Sequence, residues 1–443
     1  MVPPMCHPRY PGPIQVDPDE RIPYLYVTRE LSEAGMDEAG LVLWQVLRDV
    51  RTWLAAIAAP EAPTLAEEGW KLDGLVPELA VSLPVLDRLI RDPNPDPDTL
   101  EAVAVACMHV GLWAEDVAAG HTALAFFQAA EDTDGENPHY AYNLGRVARK
   151  LARYDEAERW LKWAHWVARG AARWDVATLA LSGLGNLHRQ RGNLPLAMRF
   201  HRATRRFARK HDLRTLEGDA LYDLVGLSFD FGDPQQGIAY AWRAIQAYGP
   251  GHTRIYRLAK DMAWLWMDRF GEFENAAVVF IALLDHVWEP KHRITLYASL
   301  ARAAACAGWR DVFERMWIES WATIRQQPLR DFHAVALTQL ALGAGCIADW
   351  ERARMAATEA LRIAQSRGEG DMVLLAESIL NSVHGDVIGE EAIHTFCQDR
   401  QQTATNLRDE DTTALATALM GAMGVRRDDS PIGPARTRPV TFA

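Results

Sequence analysis

The sequence predicts an all-α protein, a solenoid of antiparallel helix pairs stacked one on the next. Three observations predict it. Small residues recur along the chain: Gly111, Gly145 and Gly185 mark the middle of a first helix, and the register continues through Val225, Trp264, Ala301 and Ala341, with gaps of 34, 40, 40, 39, 37 and 40 residues. A second marker twelve residues on reads Ala123, Ala157, Ala197, Gly237, Ala276, Phe313 and Ala353, and between the two a turn position reads Ala118, Ala152, Gly192, Gly232, Gly271, Gly308 and Ala348. A column that did not set the phase, seven residues after the second marker, is also mostly small: Ala130, Ala164, Thr204, Ala244, Leu283, Ser320 and Ala360. One helix pair cannot bury its apolar stripe alone, so a period of this length implies stacking.

The elements follow in chain order. At 443 residues the chain is long for one core, which suits an array. Residues 1–20 hold six Pro and one Gly and read as a disordered N-terminus. Residues 21–100 form an N-terminal helical region. Within it 21–58 read as a hairpin, with Leu43, Val46, Leu47, Val50 and Leu54 on one face. Pro60, Pro63, Pro77 and Pro84 break 60–92 into short pieces, and "RDPNPDPDT" stops one helix and caps the next at Asp98 or Thr99. Residues 101–400 form the array, with 371–400 as one further pair. Residues 401–425 hold a capping helix, at 411–424, whose Leu415, Leu419 and Met423 close the last pair. Residues 426–443 read as a disordered tail.

Composition narrows the function. The net charge of −12 argues against general nucleic-acid binding. It is unevenly placed: residues 61–137 carry sixteen acids and three bases, and 138–214 carry seventeen bases and five acids, two blocks suited to attract each other or to offer two surfaces. Cys6, Cys107, Cys306, Cys346 and Cys397 are scattered, as reduced cytosolic thiols would be. Cys306 and Cys346 share a repeat position, which puts them about 10 Å apart by helix-packing distance, too far for a shared metal. The N-terminus lacks a signal-peptide pattern, and the apolar run 102–114 is too short for a membrane span. The expectation is a cytoplasmic protein without membrane segment, cofactor, metal or catalytic residues. None of the spacings for zinc hydrolysis, nucleophilic catalysis or phosphate cradling occurs.

The stretch "YNLGRVARKLARYDEAERW" (142–160) carries a resemblance. Its Leu-Gly, its aromatic nine residues after the Gly, its "DEA" helix start and its later Ala resemble the tetratricopeptide repeat. The likeness covers about 104–367 as seven pairs, and the 40-residue spacing resembles a long-helix variety found in peptide-binding members. Trp264 and Phe313 stand where the family has small residues. The resemblance implies a right-handed superhelix whose concave face is lined by first helices. Carried over residue by residue, that face holds His139, Tyr142, Asn143, Arg146, Arg149 and Lys150, then Asn186 and Arg189, then Asp219, Tyr222, Asp223, Phe229 and Asp230, then Asp261 and Asp268. It runs from basic to acidic. The amides of Asn143 and Asn186 suit the backbone of an extended peptide, since each donates and accepts. The competing reading is mutual neutralisation among Arg146, Arg189 and Asp223. The family's carboxylate clamp is not matched, because Tyr142 and Asp219 stand at its Lys positions.

The helix "RFHRATRRFARKH" (199–211) is the densest basic stretch, read first as a solvated face or a dock for the acidic 61–137 block, and otherwise as a second, RNA-binding surface. With Phe200, Thr204 and Phe207 inward, Arg202, Arg205, Arg206, Arg209 and Lys210 face out. Trp166 lies opposite the inward face of its own helix. The function expected is a non-enzymatic peptide- or protein-binding scaffold or regulatory sensor subunit. The alternative is a nucleic-acid-associated regulator using 199–210.

Overall fold

The computed structural model describes residues 23–58, 69–72, 76–287, 290–326, 332–384 and 409–425, and every regular element among them is a helix. The chain divides into two compact units, Met1–Ala220 and Leu221–Ala443. The expected disordered ends, 1–20 and 426–443, and the second half of the pair at 371–400 lie outside the described residues.

In the first unit, α1 (Pro23–Glu33) and α2 (Asp37–Ala58) make the hairpin, and a short turn at Pro77–Leu79 leads to α3 (Ser82–Leu89). Leu43, Val46, Leu47 and Val50 are buried as the periodicity requires, and Trp53 joins them. Three pairs follow: α4 (Pro97–Asp116) with α5 (Gly120–Thr133), α6 (Pro138–Lys150) with α7 (Tyr154–Gly170), and α8 (Trp174–Gln190) with α9 (Leu194–Lys210). The cap of α4 is Asp96, whose carboxylate accepts from the Thr99 N–H at 2.7 Å, two residues before the expected Asp98. Pro97, lacking an N–H, is suited to the first helical position and so fixes the start. At α5 the cap position is Ala119, which has no capping oxygen. Glu30 of α1 supplies it instead, its two carboxylate oxygens accepting from the N–H groups of His121 and Thr122 at 2.9 Å each.

The turn column is the firmest part of the sequence reading. Ala118, Ala152 and Gly192 in this unit, and Gly232, Gly271, Gly308 and Ala348 in the other, all have positive φ. The N–H after each of the first three reaches back five residues, Ala119 to Ala114, Arg153 to Ala148 and Asn193 to His188, at 2.8, 2.9 and 2.8 Å. This closure satisfies carbonyls that a helix end leaves open, and it requires a left-handed residue. Gly, without a Cβ, holds that conformation at no steric cost, whereas Ala118, Ala152 and Ala348 bear the Cβ penalty.

The first-helix glycines are positions of close approach. A Cβ added to Gly111 would lie 2.7 Å from the Phe127 ring, one on Gly145 2.7 Å from Leu161, and one on Gly185 2.5 Å from the His201 ring. Each pair is sixteen residues apart. Leu161 is shared, for a Cβ on Gly183 of the next first helix would also lie 2.7 Å from it.

The boundary between the units falls within α10 (Arg214–Asp230), which is followed by α11 (Pro234–Tyr248). Next come α12 (Thr253–Leu265), running into a π turn at Trp266–Phe270, and α13 (Phe273–Leu283). They are followed by α14 (Pro290–Cys306), α15 (Arg310–Gln326), α16 (His333–Cys346), α17 (Trp350–Arg367), α18 (Gly370–His384) and α19 (Asp409–Ala422). The π turn corrects the repeat phase. At this turn the closing N–H, that of Glu272, reaches back six residues to Trp266, one more than elsewhere. That inserted residue puts Ala263, fully buried, where Trp264 was counted, and Trp264 is only half-buried. Phe313 does hold its small-residue position, fully buried. Gly343 of α16 makes room for it, since a Cβ there would stand 3.4 Å from the ring.

That Cβ would also lie 3.0 Å from the Arg302 Cα, so α14 and α16 meet backbone to backbone. The expected 10 Å between Cys306 and Cys346 is therefore wrong. Their Cα atoms are 5.3 Å apart and the two are disulfide-bonded, which also corrects the reading of all the cysteines as reduced and removes support from a cytosolic location. Cys107 remains a free, buried thiol, its pKa pushed up to about 12 by burial.

The C-terminal helix α19 was expected to close the last pair. It packs instead on α11, α12 and α13. Leu415, Leu419 and Met423 are buried there. The Asn275 amide donates to Thr412 Oγ1 at 3.3 Å and Thr413 Oγ1 at 3.2 Å, and the Gly251 N–H donates to the Ala422 carbonyl at 2.8 Å. The cause is in α13, whose "AAVVFIAL" is apolar all round and must be covered on every side.

Candidate functional site

The first helices carry the predicted polar residues, and several of these meet one another or a neighbouring helix. In the first unit, the Arg146 guanidinium donates to both oxygens of Glu115 at 2.5 and 2.6 Å and to Asn143 Oδ1 at 2.9 Å. Lys150 adds a third contact to Glu115 at 2.5 Å. Burial works to raise the Glu115 pKa, but the hydrogen bonds and charges of Lys150 and Arg146 overcome it and hold the carboxyl below its ordinary value. Glu115 was missed in the sequence. The signal was present, since it stands four residues after the Gly111 marker, as Arg149 does after Gly145. Tyr142 is largely buried against this cluster, and burial raises its pKa. Arg149 is half-buried.

The second unit holds a similar cluster, with its amide drawn from the following first helix and not from the arginine's own. Arg302, only 3% exposed, donates to Asp268 Oδ1 at 2.6 Å and to Gln339 Oε1 at 2.9 Å. Arg302 follows its marker by one residue, as Arg146 does, and Gln339 precedes its own by two, as Asn143 does. An acid, an arginine and an amide thus occupy corresponding positions twice. Tyr222 donates its hydroxyl to Asp261, and its pKa is raised first by burial and then by that carboxylate. Arg189, Asp219, Asp223 and Asp230 each have interactions of their own. Asn186 differs. It is half-exposed, it stands one residue after Gly185 where the neighbouring pair has Arg146, and its amide has no hydrogen-bond partner among the described residues.

On the second helices, Trp166 is 47% exposed and stacks on Trp163 at 5.1 Å. The Trp163 indole N–H donates to Glu131 Oε1 at 3.3 Å. Glu131 is 7% exposed, and burial, opposed only in part by that hydrogen bond, pushes its pKa up to about 8. Arg202, Arg206 and Arg209 are exposed as predicted. Arg205 is not. It is half-buried, with Glu217 at 3.6 Å, because the buried stripe of α9 runs through Ala197, His201, Thr204 and Ala208, which turns Arg205 to the flank and leaves Phe200 and Phe207 half-buried.

Among the described residues no group of three or more His, Cys, Asp or Glu side chains is arranged to hold a metal, and no helix is long and apolar enough to cross a membrane. No protein-family model matches the sequence, and no curated protein matches it. Among solved structures the chain is similar to a Rap protein complexed with competence and sporulation factor, with a TM-score of 0.36 and 14% identity, covering 85% of this chain and 99% of that one. A likeness that distant carries no functional argument.

Proposed function

We propose that this protein is a non-enzymatic scaffold or regulatory subunit that binds an extended peptide on the face of its first helices. The observation that supports it is Asn186. In the preceding pairs of the same unit the corresponding groups are spent on one another, Arg146 on Glu115 and Asn143. Those contacts hold a rigid polar floor, and such preorganisation lowers the cost of binding. Asn186 stands at the repeat position of Arg146 with an amide that is not spent among the described residues, and one amide pairs with a peptide unit through both its N–H and its C=O.

The test is retention of peptides from a defined random-sequence library, identified by mass spectrometry after gel filtration. The wild-type chain should retain a related set of peptides, and Asn186→Ala should lose them while unfolding at the same urea concentration. If the wild type retains nothing beyond what Asn186→Ala retains, the reading fails.

A further inference from the structure

The second helices of the first unit carry a feature that the peptide face does not use. Counting from the turn residues Ala152 and Gly192, α7 places Arg159, Lys162, Trp166 and Arg169 at the positions where α9 places Arg199, Arg202, Arg206 and Arg209. All eight are exposed. Both helices pack on α8, so two matching stripes occur on successive second helices. The steps of three, four and three residues keep each stripe on one side of its helix, over about 15 Å. Lys162 is paired with Glu158 at 2.6 Å. The six arginines have no acidic partner among the described residues. The helix α9 contains no acid of its own, so its like charges three and four residues apart repel one another, and the Glu217 carboxylate from outside the helix stands by Arg205, off the stripe. The surface is not purely polar either. Leu196, Phe200 and Ala203 floor a depression rimmed by Arg199, Arg202 and Arg206, and the exposed Trp166 stands on the neighbouring stripe.

We infer that this face docks an acidic amphipathic helix of a partner protein, its carboxylates on the two rows of arginines and its apolar side chains over Phe200 and Trp166. Charge complementarity selects an anion, and the guanidinium fork matches carboxylates in pairs. Two features select a protein over a nucleic acid. The patch is short and the chain bears −12 overall, so a long polyanion gains little beyond the arginines and is repelled by the chain's net charge, while a short helix can match the patch. The apolar floor has no use for a phosphate backbone. The inference does not depend on the peptide face.

The probe is a synthetic helical peptide of about 14 residues, the length of the stripe plus a turn, with Glu on one face and Leu on the other. It is followed by fluorescence anisotropy on the full chain at about 0.1 M salt. A peptide with Gln for each Glu and an oligothymidine of equal length serve as comparators. The acidic peptide should bind about tenfold or more tighter than both comparators, as expected when several charge-assisted contacts are lost. Arg202→Glu with Arg206→Glu should abolish that preference, and Arg202→Gln with Arg206→Gln, which asks less of the fold, should reduce it. Asn186→Ala should leave it unchanged. Equal binding of the Glu and Gln peptides, indifference to both pairs of arginine variants, or tighter binding of the oligothymidine each overturns the inference, the last by assigning the surface to nucleic acid.

Discussion

Replacing Gly185 with Ala tests whether the recurring small residue is a packing requirement. The added methyl would lie 2.5, 2.7 and 2.7 Å from three atoms of the His201 ring, where carbon atoms in ordinary contact stand about 3.5–4.0 Å apart. Relief needs the ring to withdraw by about an ångström, and His201 is fully buried. Overpacking of this kind costs on the order of 1–3 kcal/mol. Against it stands the better helix propensity of Ala, up to about 1 kcal/mol. The net expectation is a loss of stability despite the propensity gain. Gly170 is the control, since a Cβ there meets nothing within 4 Å and Gly170→Ala should stabilise by a few tenths of a kcal/mol. On a His201→Ala background the methyl has room, so Gly185→Ala should become neutral or favourable, a coupling on the order of 1–2 kcal/mol. Urea unfolding followed by circular dichroism reads the wild type and the four variants, with the shift in midpoint taken at constant slope. If Gly185→Ala and Gly170→Ala move the midpoint the same way, or if the cycle with His201 is additive, the close approach is not what fixes this column.

Two further outcomes follow from the same packing. Glu131 has its pKa raised from 4.5 to about 8, so the folded state holds a proton that the unfolded state has released, and the stability this contributes is present below about pH 4.5 and lost as pH rises through about 8; relative to Glu131→Gln, the wild type should weaken steadily over that window, and parallel pH profiles would count against a buried carboxyl there. Ending the chain before α19 bares the apolar face of α13 and should cost several kcal/mol, on the order of 1.5–3 for each large buried side chain removed, an effect absent from the urea midpoint if the helix merely trails.

The architecture was legible because it rests on turn chemistry and small residues, which are local. Gly192, Gly232, Gly271 and Gly308 announce their turns whatever lies around them, whereas Ala118, Ala152 and Ala348 follow only from the period. What failed was whatever a count along the chain cannot carry. The π turn after α12 inserts one residue and turned Ala263 into an apparent Trp264. Cys306 and Cys346 were placed by a typical interhelix distance, but Gly343 brings these two helices closer. The polar face was only partly readable. Arg146 and Asn143 follow from the resemblance, while Glu115, which decides how much of the Arg146 charge is left, belongs to the preceding pair. The destination of α19 was readable only from the uniform apolarity of α13, a property of the acceptor.

The bond between Cys306 and Cys346 changes how this protein comes apart. In a stacked array each repeat is held by its neighbours, so opening spreads from an end one repeat at a time. The bond closes a ring across 40 residues of sequence, a span whose closure restricts the unfolded chain by about 4 kcal/mol in the entropic description. Fraying that reaches α16 cannot release it from α14, so the sixth and seventh pairs open together or stay shut. Amide exchange along α14 and α16 should then rise and fall as one block in the oxidised chain and as two in the reduced chain, which makes the size of the protein's smallest unfolding step a property of the surrounding thiol chemistry.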